Sequence, residues 1–401
     1  FGAKDIALLS QIIPHRLKVG VIFSTSGPYE TVSRELRDGA LLGLEMANAM
    51  AGDGLILEPE VIDPGGSLDR YREATEALLA SGIRHVIGCY TSSSRKEIIP
   101  IVEKFGALLW YPSHYEGFES CPNVIYTGAS PNQHVVPLAH WALPRYGRSV
   151  YCIGSNYIWP WENTRIMRGL IKDAGGAVLR ERYLPIGSTD VDAVIAEIAE
   201  VRPDFIFNTL IGESSYRFYR AYHRLGQRND IFRADRRPIL SCTLSEPELH
   251  AIGPEAAEGH IASSVYFQSI ANVENAHFTE AFRERFGPGR VSSADSEASF
   301  ITAQLLTASL RHAKADDIQA VKHAAYACQI KAPQGAVWID PDNNHAWLTP
   351  RIGRANPAGD FDIVWQTPAP ARPDPYLTLL RQTPATPAAQ PRPSLRLVGN
   401  Q

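Results

Sequence analysis

Apolar positions recur along the chain in two alternating patterns: short β-rich runs, and longer stretches at helical spacing. Leu17–Phe23 (LKVGVIF) is a β-rich run that opens into the Ser/Gly/Pro loop Ser24–Tyr29. In Val32–Met50, the spacing of Leu36, Ala40, Leu44 and Ala47 predicts a helix, ended by Gly52 and Gly54. Leu57–Ile62 is predicted as a second strand. Its turn, Asp63-Pro64-Gly65-Gly66, feeds a helix capped by Ser67 and running to Leu79. Short buried strands follow at His85–Gly88 and Ala107–Trp110, with a helix between them starting near Arg95. Alternation of this kind predicts a parallel sheet covered on both faces.

The rhythm restarts after Asn123–Tyr126. Strands are expected at Ser149–Ile153, Ala177–Tyr183, Asp204–Leu210 and Pro238–Ser241, with helices at Glu162–Ala174, Val191–Glu200 and Ser214–Leu225. One doubly wound sheet rarely takes both sets, so two lobes are expected. His260–Tyr266 reads as a late strand and Ala294–His312 as a long Ala/Leu-rich helix. Val337–Ile339, Trp347–Ile352 and Phe361–Trp365 are joined by the turn-rich segments Asp340–Asn344 and Asn356–Gly359, the chemistry of antiparallel hairpins. The expected fold class is α/β: two doubly wound parallel-sheet lobes with a C-terminal antiparallel hairpin addition. Residues 1–128 and 268–332 are assigned to the first lobe, 129–267 and 333–380 to the second, and 381–401 to a Pro-rich disordered tail. No internal repeat is visible.

Composition narrows the partners. With 39 basic residues against 43 acidic ones and a formal net charge of −4, the chain has no basic footprint for nucleic acid. No run approaches the ~20 apolar residues of a membrane span. A soluble protein with a small-molecule or protein partner is expected. The opening FGAKDIALLSQIIPHR has neither the apolar core nor the cleavage site of a secretion signal, so the expected location is cytoplasmic, with periplasmic as the alternative. Cys89, Cys121, Cys152, Cys242 and Cys328 are odd in number, widely spaced and without a C-x-x-C pair. They are read as core residues rather than as a disulfide framework or zinc site, and no metal or cofactor is expected.

In open α/β sheets, ligands bind beyond the carboxyl ends of the strands, so the loop after each strand carries the candidate chemistry. After His85–Gly88, Ser94 and Glu97 fit a capping box. That places Ser92 and Ser93 at a helix N-terminus, where unpaired N–H groups favour a carbonyl or anion. After Ala107–Trp110 come Tyr111 and Ser113, donor–acceptor groups, and His114. After Ser149–Ile153, the aromatics Tyr157, Trp159 and Trp161 could wall a pocket or form a small apolar satellite. After Asp204–Leu210, Glu213 stands where a strand hands over to a helix, either as an exposed carboxylate at the helix start or as a cleft group. No phosphate-binding loop, H-E-x-x-H or G-x-S-x-G is present. Ser93-x-x-Lys96 matches an S-x-x-K pattern without the S-D-N or K-T-G that accompany it in penicillin-recognising enzymes.

At these loops the sequence resembles the type I periplasmic-binding-protein family. Within it, the likeness is to the branch holding the amide sensor of the aliphatic amidase operon and the urea and short-chain-amide binding proteins of ABC transporters. The resemblance rests on Asp63-Pro64-Gly65-Gly66 with Asp69-Arg70-Tyr71, Gly88-Cys89-Tyr90 with Ser92 and Arg95-Lys96, Tyr111-Pro112, Tyr115-Glu116-Gly117-Phe118-Glu119 and Pro122-Asn123. It continues through Pro131-Asn132-Gln133, Gly154-Ser155 with Tyr157-Ile158, Ala332-Pro333-Gln334-Gly335, Asn343-Asn344-His345 and Arg372-Pro373-Asp374-Pro375-Tyr376. It spans Lys18 to Tyr376. Tyr183-Leu184-Pro185-Ile186-Gly187-Ser188-Thr189-Asp190, Phe207-Asn208-Thr209-Leu210 and the acidic Glu213 look more like the urea-transport branch. Ser113-His114 and Trp159 depart from the Thr-Pro and Tyr usual in the amide sensor.

The resemblance implies two lobes joined by three hinge crossings and closing over a small ligand. It implies that Tyr90, Ser92, Tyr111, Ser113 and Tyr157 hydrogen-bond an amide, and that His114, Trp159 and Ile211 wall the pocket. A carboxylate is an acceptor only, so Glu213 in the cleft would favour an N–H-rich ligand such as urea or guanidine over acetamide. The function so implied is a non-enzymatic sensor of a short amide or urea-like compound, acting as negative regulator of an amidase-type operon through an antiterminator-like regulator protein. The alternative is an extracytoplasmic substrate-binding protein that hands urea, short amides or branched-chain amino acids to the membrane permease of an ABC transporter. Neither reading involves direct nucleic-acid contact, and a homodimer is left open.

Overall fold

The computed structural model describes residues 16–50, 54–378 and 380; the N-terminal stretch read for a secretion signal and the tail 381–401 lie outside the described residues. β1 (Arg16–Ile22), β2 (Ile56–Ile62), β3 (His85–Gly88), β4 (Leu108–Tyr111) and β5 (Val124–Tyr126) form a parallel sheet in the order β2-β1-β3-β4-β5. The interior strands β3 and β4 are buried at every position, which suits their unbroken runs HVIG and LLWY to a sheet covered on both faces. β2 tolerates Pro59, which lacks an N–H, because it is an edge strand.

A second parallel set comprises β6 (Ser149–Ser155), β7 (Ala177–Leu184), β8 (Phe205–Thr209), β9 (Ile239–Ser241) and β10 (Ile261–Ser264), in the order β10-β9-β8-β6-β7. The C-terminal hairpin chemistry divides between two places. β11 (Gln329–Ala332), β12 (Gly335–Ile339) and β13 (Ala346–Trp347) form a small antiparallel sheet. β14 (Arg351–Ala355) and β15 (Phe361–Gln366) extend the second large sheet antiparallel to β10. The fold is thus α/β with two parallel-sheet lobes and antiparallel additions near the C-terminus.

The chain passes between the large sheets after β5, after β10 and before β14. Arg351 ties these passages together: its guanidinium donates to the carbonyls of Val265, Thr349 (3.1 Å) and Gln334 (2.8 Å). Beside the hinge, the helix Glu30–Ala49 packs closely on the helix Ala294–Ala313. A Cβ at Gly39 would lie 1.9 Å from the Ser296 carbonyl oxygen, so only glycine permits the approach.

Local readings shift in a few places. The helix Ser92–Lys104 begins earlier than expected, because Thr91 is its cap and accepts from Ser94 N at 3.2 Å. Ser92 is therefore the first helical residue, and the Ser94/Glu97 capping box does not form. Helices Val135–Tyr146, Val273–Phe286 and Ile318–Ala327 have no counterpart in the expectations. In the first of these, Pro137 sits in the opening turn and Pro144 near the end, which disguises the helix in sequence. Cys89, Cys121, Cys152 and Cys242 are buried and Cys328 is half-buried, all as free thiols. Among the described residues no helix is long and apolar enough to cross a membrane.

Candidate functional site

The carboxyl ends of the strands of the two large sheets face each other across a cleft. From β3 and β4 come Tyr90, Ser92 and His114, and from β6 and β9 come Tyr157, Trp159 and Thr243; together they line a cavity of about 10 Å³. A second cavity, of about 30 Å³, shares His114 and Thr243 and extends toward the hinge past His134, Ser245, Asp295 and Gln334. The lobes touch beside it. Gly212, in the loop after β8, has φ +60°, and a Cβ there would sit 2.5 Å from the Pro28 carbonyl oxygen in the loop after β1.

Each cavity group has a defined hydrogen-bonding sense. Burial pushes the phenols of Tyr90 and Tyr157 well above their ordinary pKa, so both stay neutral and can donate. The Ser92 hydroxyl donates to Glu116 Oε2 at 2.5 Å, and Arg95 Nη2 holds the same carboxylate at 3.0 Å. With its proton committed and Arg95 Nη1 donating to it at 3.5 Å, Ser92 Oγ can only accept from the cavity. The Trp159 indole N–H is buried and has no acceptor among the described residues. His114 packs edge-on against Trp159 at 5.3 Å; burial, with His134 beside it, lowers its pKa to about 3, so the ring is neutral.

Four expected site residues, Tyr111, Ser113, Glu213 and Ile211, line neither cavity. Tyr111 Oη donates to the Tyr90 carbonyl at 2.9 Å, and its ring lies against the Arg95 guanidinium at 4.8 Å. Ser113 Oγ donates to the Cys89 carbonyl at 3.0 Å. Alternate residues of an extended segment face opposite sides, so Pro112 and His114 reach the cavity while Tyr111 and Ser113 brace the loop carrying Tyr90. Glu213 is the first residue of the helix Glu213–Arg228. Its side chain is 57% exposed and its carboxylate takes Arg220 Nη2 at 2.5 Å. It does not enter the cleft, which corrects the role expected of it. Ile211 is buried in the same apolar cluster as Tyr157 and Trp159, with its N–H donated to Ser155 Oγ at 3.2 Å.

Other cavity residues escaped the sequence reading. Thr243 and Ser245 follow β9, so reading the loop after that strand as well would have found them. Asp295 is the second residue of the helix Ala294–Ala313, whose start is marked by its cap, Ser293. Its side chain is buried and makes no hydrogen bond to another described residue. Burial and the charge of Glu35 raise its pKa to about 7. Among the described residues Asp295 is the one acid lining either cavity, and no Lys or Arg lines them. Among the described residues no His/Cys/Asp/Glu group is arranged to hold a metal ion.

The sequence matches the model of the periplasmic binding protein domain over residues 17–382. A Leu/Ile/Val-binding protein homolog 6 of Brucella abortus is 22% identical over 335 residues, covering 82% of this chain and 85% of that protein. A limonene hydroxylase of Geobacillus stearothermophilus is 32% identical over 124 residues, covering 30% of this chain and only 23% of that protein. A solute-binding protein of an ABC transporter from Rhodopseudomonas palustris HaA2, solved with p-hydroxybenzoic acid, is similar with a TM-score of 0.79. At 21% identity it covers 89% of this chain and 98% of that one. These relatives overturn the expected cytoplasmic location and point to the periplasm. With its two lobes closed over a cleft and the match running through both, the chain belongs to the periplasmic binding protein domain family.

Proposed function

We propose that the chain is the substrate-binding protein of an ABC-type transporter. It takes a short amide or urea-like compound between its lobes and presents the closed form to a membrane permease. The relatives favour this role over that of a sensor read by an antiterminator-like regulator. The role is binding without turnover.

The observation that carries the reading is the cavity shared by the lobes. Tyr90, Tyr157 and Trp159 supply O–H and N–H donors for a carbonyl oxygen, and Ser92 Oγ supplies lone pairs for an amide N–H. Closure on a ligand that bridges the two sets converts hydrogen bonds into a population shift toward the closed form. Among the described residues no Lys or Arg lines the cavities to pair with a carboxylate ligand. In the closed state the space suits a few heavy atoms rather than a leucine side chain or a benzene ring.

Thermal unfolding with acetamide, butyramide, urea, leucine and p-hydroxybenzoate tests this. A ligand at 100 times its Kd adds about 2.7 kcal/mol of stability. Stabilisation by the amides or urea, with both carboxylates silent, is the expected result. Stabilisation by leucine or p-hydroxybenzoate alone would leave the family assignment standing and overturn the amide reading.

A further inference from the structure

Hydrogen-bond acceptors without donors collect in the larger cavity. The Asp295 carboxylate, 6% exposed, makes no hydrogen bond to a described residue. His134 Nε2 lies 3.0 Å from the Tyr115 carbonyl oxygen, which can only accept, so that nitrogen carries the proton. Burial lowers the ring's pKa to about 4, so His134 is neutral and its Nδ1 is a bare acceptor, buried and without a partner. Gln334 Nε2 donates to Glu297 Oε2 at 2.9 Å, and Gln334 Oε1 is likewise buried and unpartnered.

Among the described residues no cation answers these groups. Glu35, Glu246 and Glu248 are the acids coupled to Asp295 by charge. Arg290 spends its guanidinium on Glu35 (2.6 Å) and Asp38 (2.9 Å). Arg351 gives its own to backbone carbonyls of the hinge. Buried acceptors left unmade are costly, so whatever fills this cavity must bring hydrogen-bond donors, and beside a carboxylate it gains by bringing positive charge.

We infer that the natural ligand carries a planar cationic N–H head, a guanidinium or amidinium group, with Asp295 as its counter-charge and His134 Nδ1 and Gln334 Oε1 accepting from its remaining N–H groups. The inference rests on the binding role proposed above and narrows its ligand. Asp295, entering from the hinge, takes the part that the sequence had suggested for Glu213.

Matched pairs of equal shape test it: acetamidine against acetamide, and guanidinium against urea, titrated calorimetrically into the intact protein at a pH of about 8, above the pKa of Asp295. The cation of each pair should bind about tenfold or more tighter than its neutral partner, the difference between a charge-assisted and a neutral hydrogen bond. Asp295→Asn should abolish that preference, and Glu213→Gln should leave it intact. If acetamide and urea bind as tightly as their cationic partners, the inference is overturned while the amide-binding role stands. If no N–H-headed compound binds, that role fails with it. The wild-type ratio decides even if Asp295→Asn does not fold.

Discussion

Trp159 shows what a proposed binding residue costs a protein at rest. Its indole N–H is buried without an acceptor, a condition that costs about 1–3 kcal/mol and that an apolar ring would avoid. Trp159→Phe should therefore leave the melting temperature of the free protein unchanged or slightly higher. It should weaken acetamide binding about tenfold in a calorimetric titration, the worth of one hydrogen bond. Unchanged affinity would remove Trp159 from the site. Five residues that line the smaller cavity (Tyr90, Ser92, His114, Tyr157 and Trp159) were picked out in the sequence, because ligands sit at strand ends and these follow predicted strands. Tyr111 and Ser113 misled because alternation along an extended segment turns them away from the cleft. Glu213 misled because a local partner, Arg220, holds it outside. Asp295 was hidden because it comes from a helix far along the chain, brought to the cleft only by the fold.

At the scale of elements, alternating strand and helix patterns made both parallel sheets legible. What the patterns could not give was where competing local signals resolve. Ser94 with Glu97 was the expected cap, and the backbone chose Thr91. Nor could they show how closely helices approach. Gly39→Ala would drive a Cβ into the Ser296 carbonyl, and separating the helices Glu30–Ala49 and Ala294–Ala313 should cost about 2 kcal/mol or more in a denaturant titration. Gly169→Ala, on the exposed face of the helix Ile158–Asp173 with nothing within 4 Å of the added carbon, should instead stabilise by about 0.5–1 kcal/mol. Equal effects at the two sites would contradict the close helix contact.

For the molecule as a whole, two sets of buried titratable groups set the response to pH. Burial raises Glu35 and Asp295 to about 7, and Glu246, Glu248 and Glu297 to about 8. These groups bind extra protons in the folded state, so the stability they confer falls as pH rises from their unfolded values toward 8. Burial lowers His114 and His260 to about 3, and His85, His134 and His345 to about 4. The unfolded chain binds their protons, so the stability they confer rises with pH up to their unfolded value of about 6.5. The two trends oppose each other below that value, and only the carboxyl trend survives above it. Calorimetric melting temperatures should be nearly level between about pH 5 and 6 and fall between about pH 7 and 8.5. A rise over the upper interval would contradict the burial of these carboxyls. Glu297→Gln should reduce the fall, because it removes one of the groups responsible.

The central claim, that a small N–H-bearing compound binds between the lobes against Trp159, has a direct spectroscopic test. The protein has 7 tryptophans, so its indole N–H resonances can be followed one by one in ¹⁵N-labelled protein, with Trp159→Phe assigning the one that matters. Acetamide and urea are each predicted to shift the Trp159 resonance as it gains an acceptor, while leucine and p-hydroxybenzoate leave it in place. A Trp159 signal that stays fixed while such a compound stabilises the protein, or one that moves only with the carboxylates, would contradict the account.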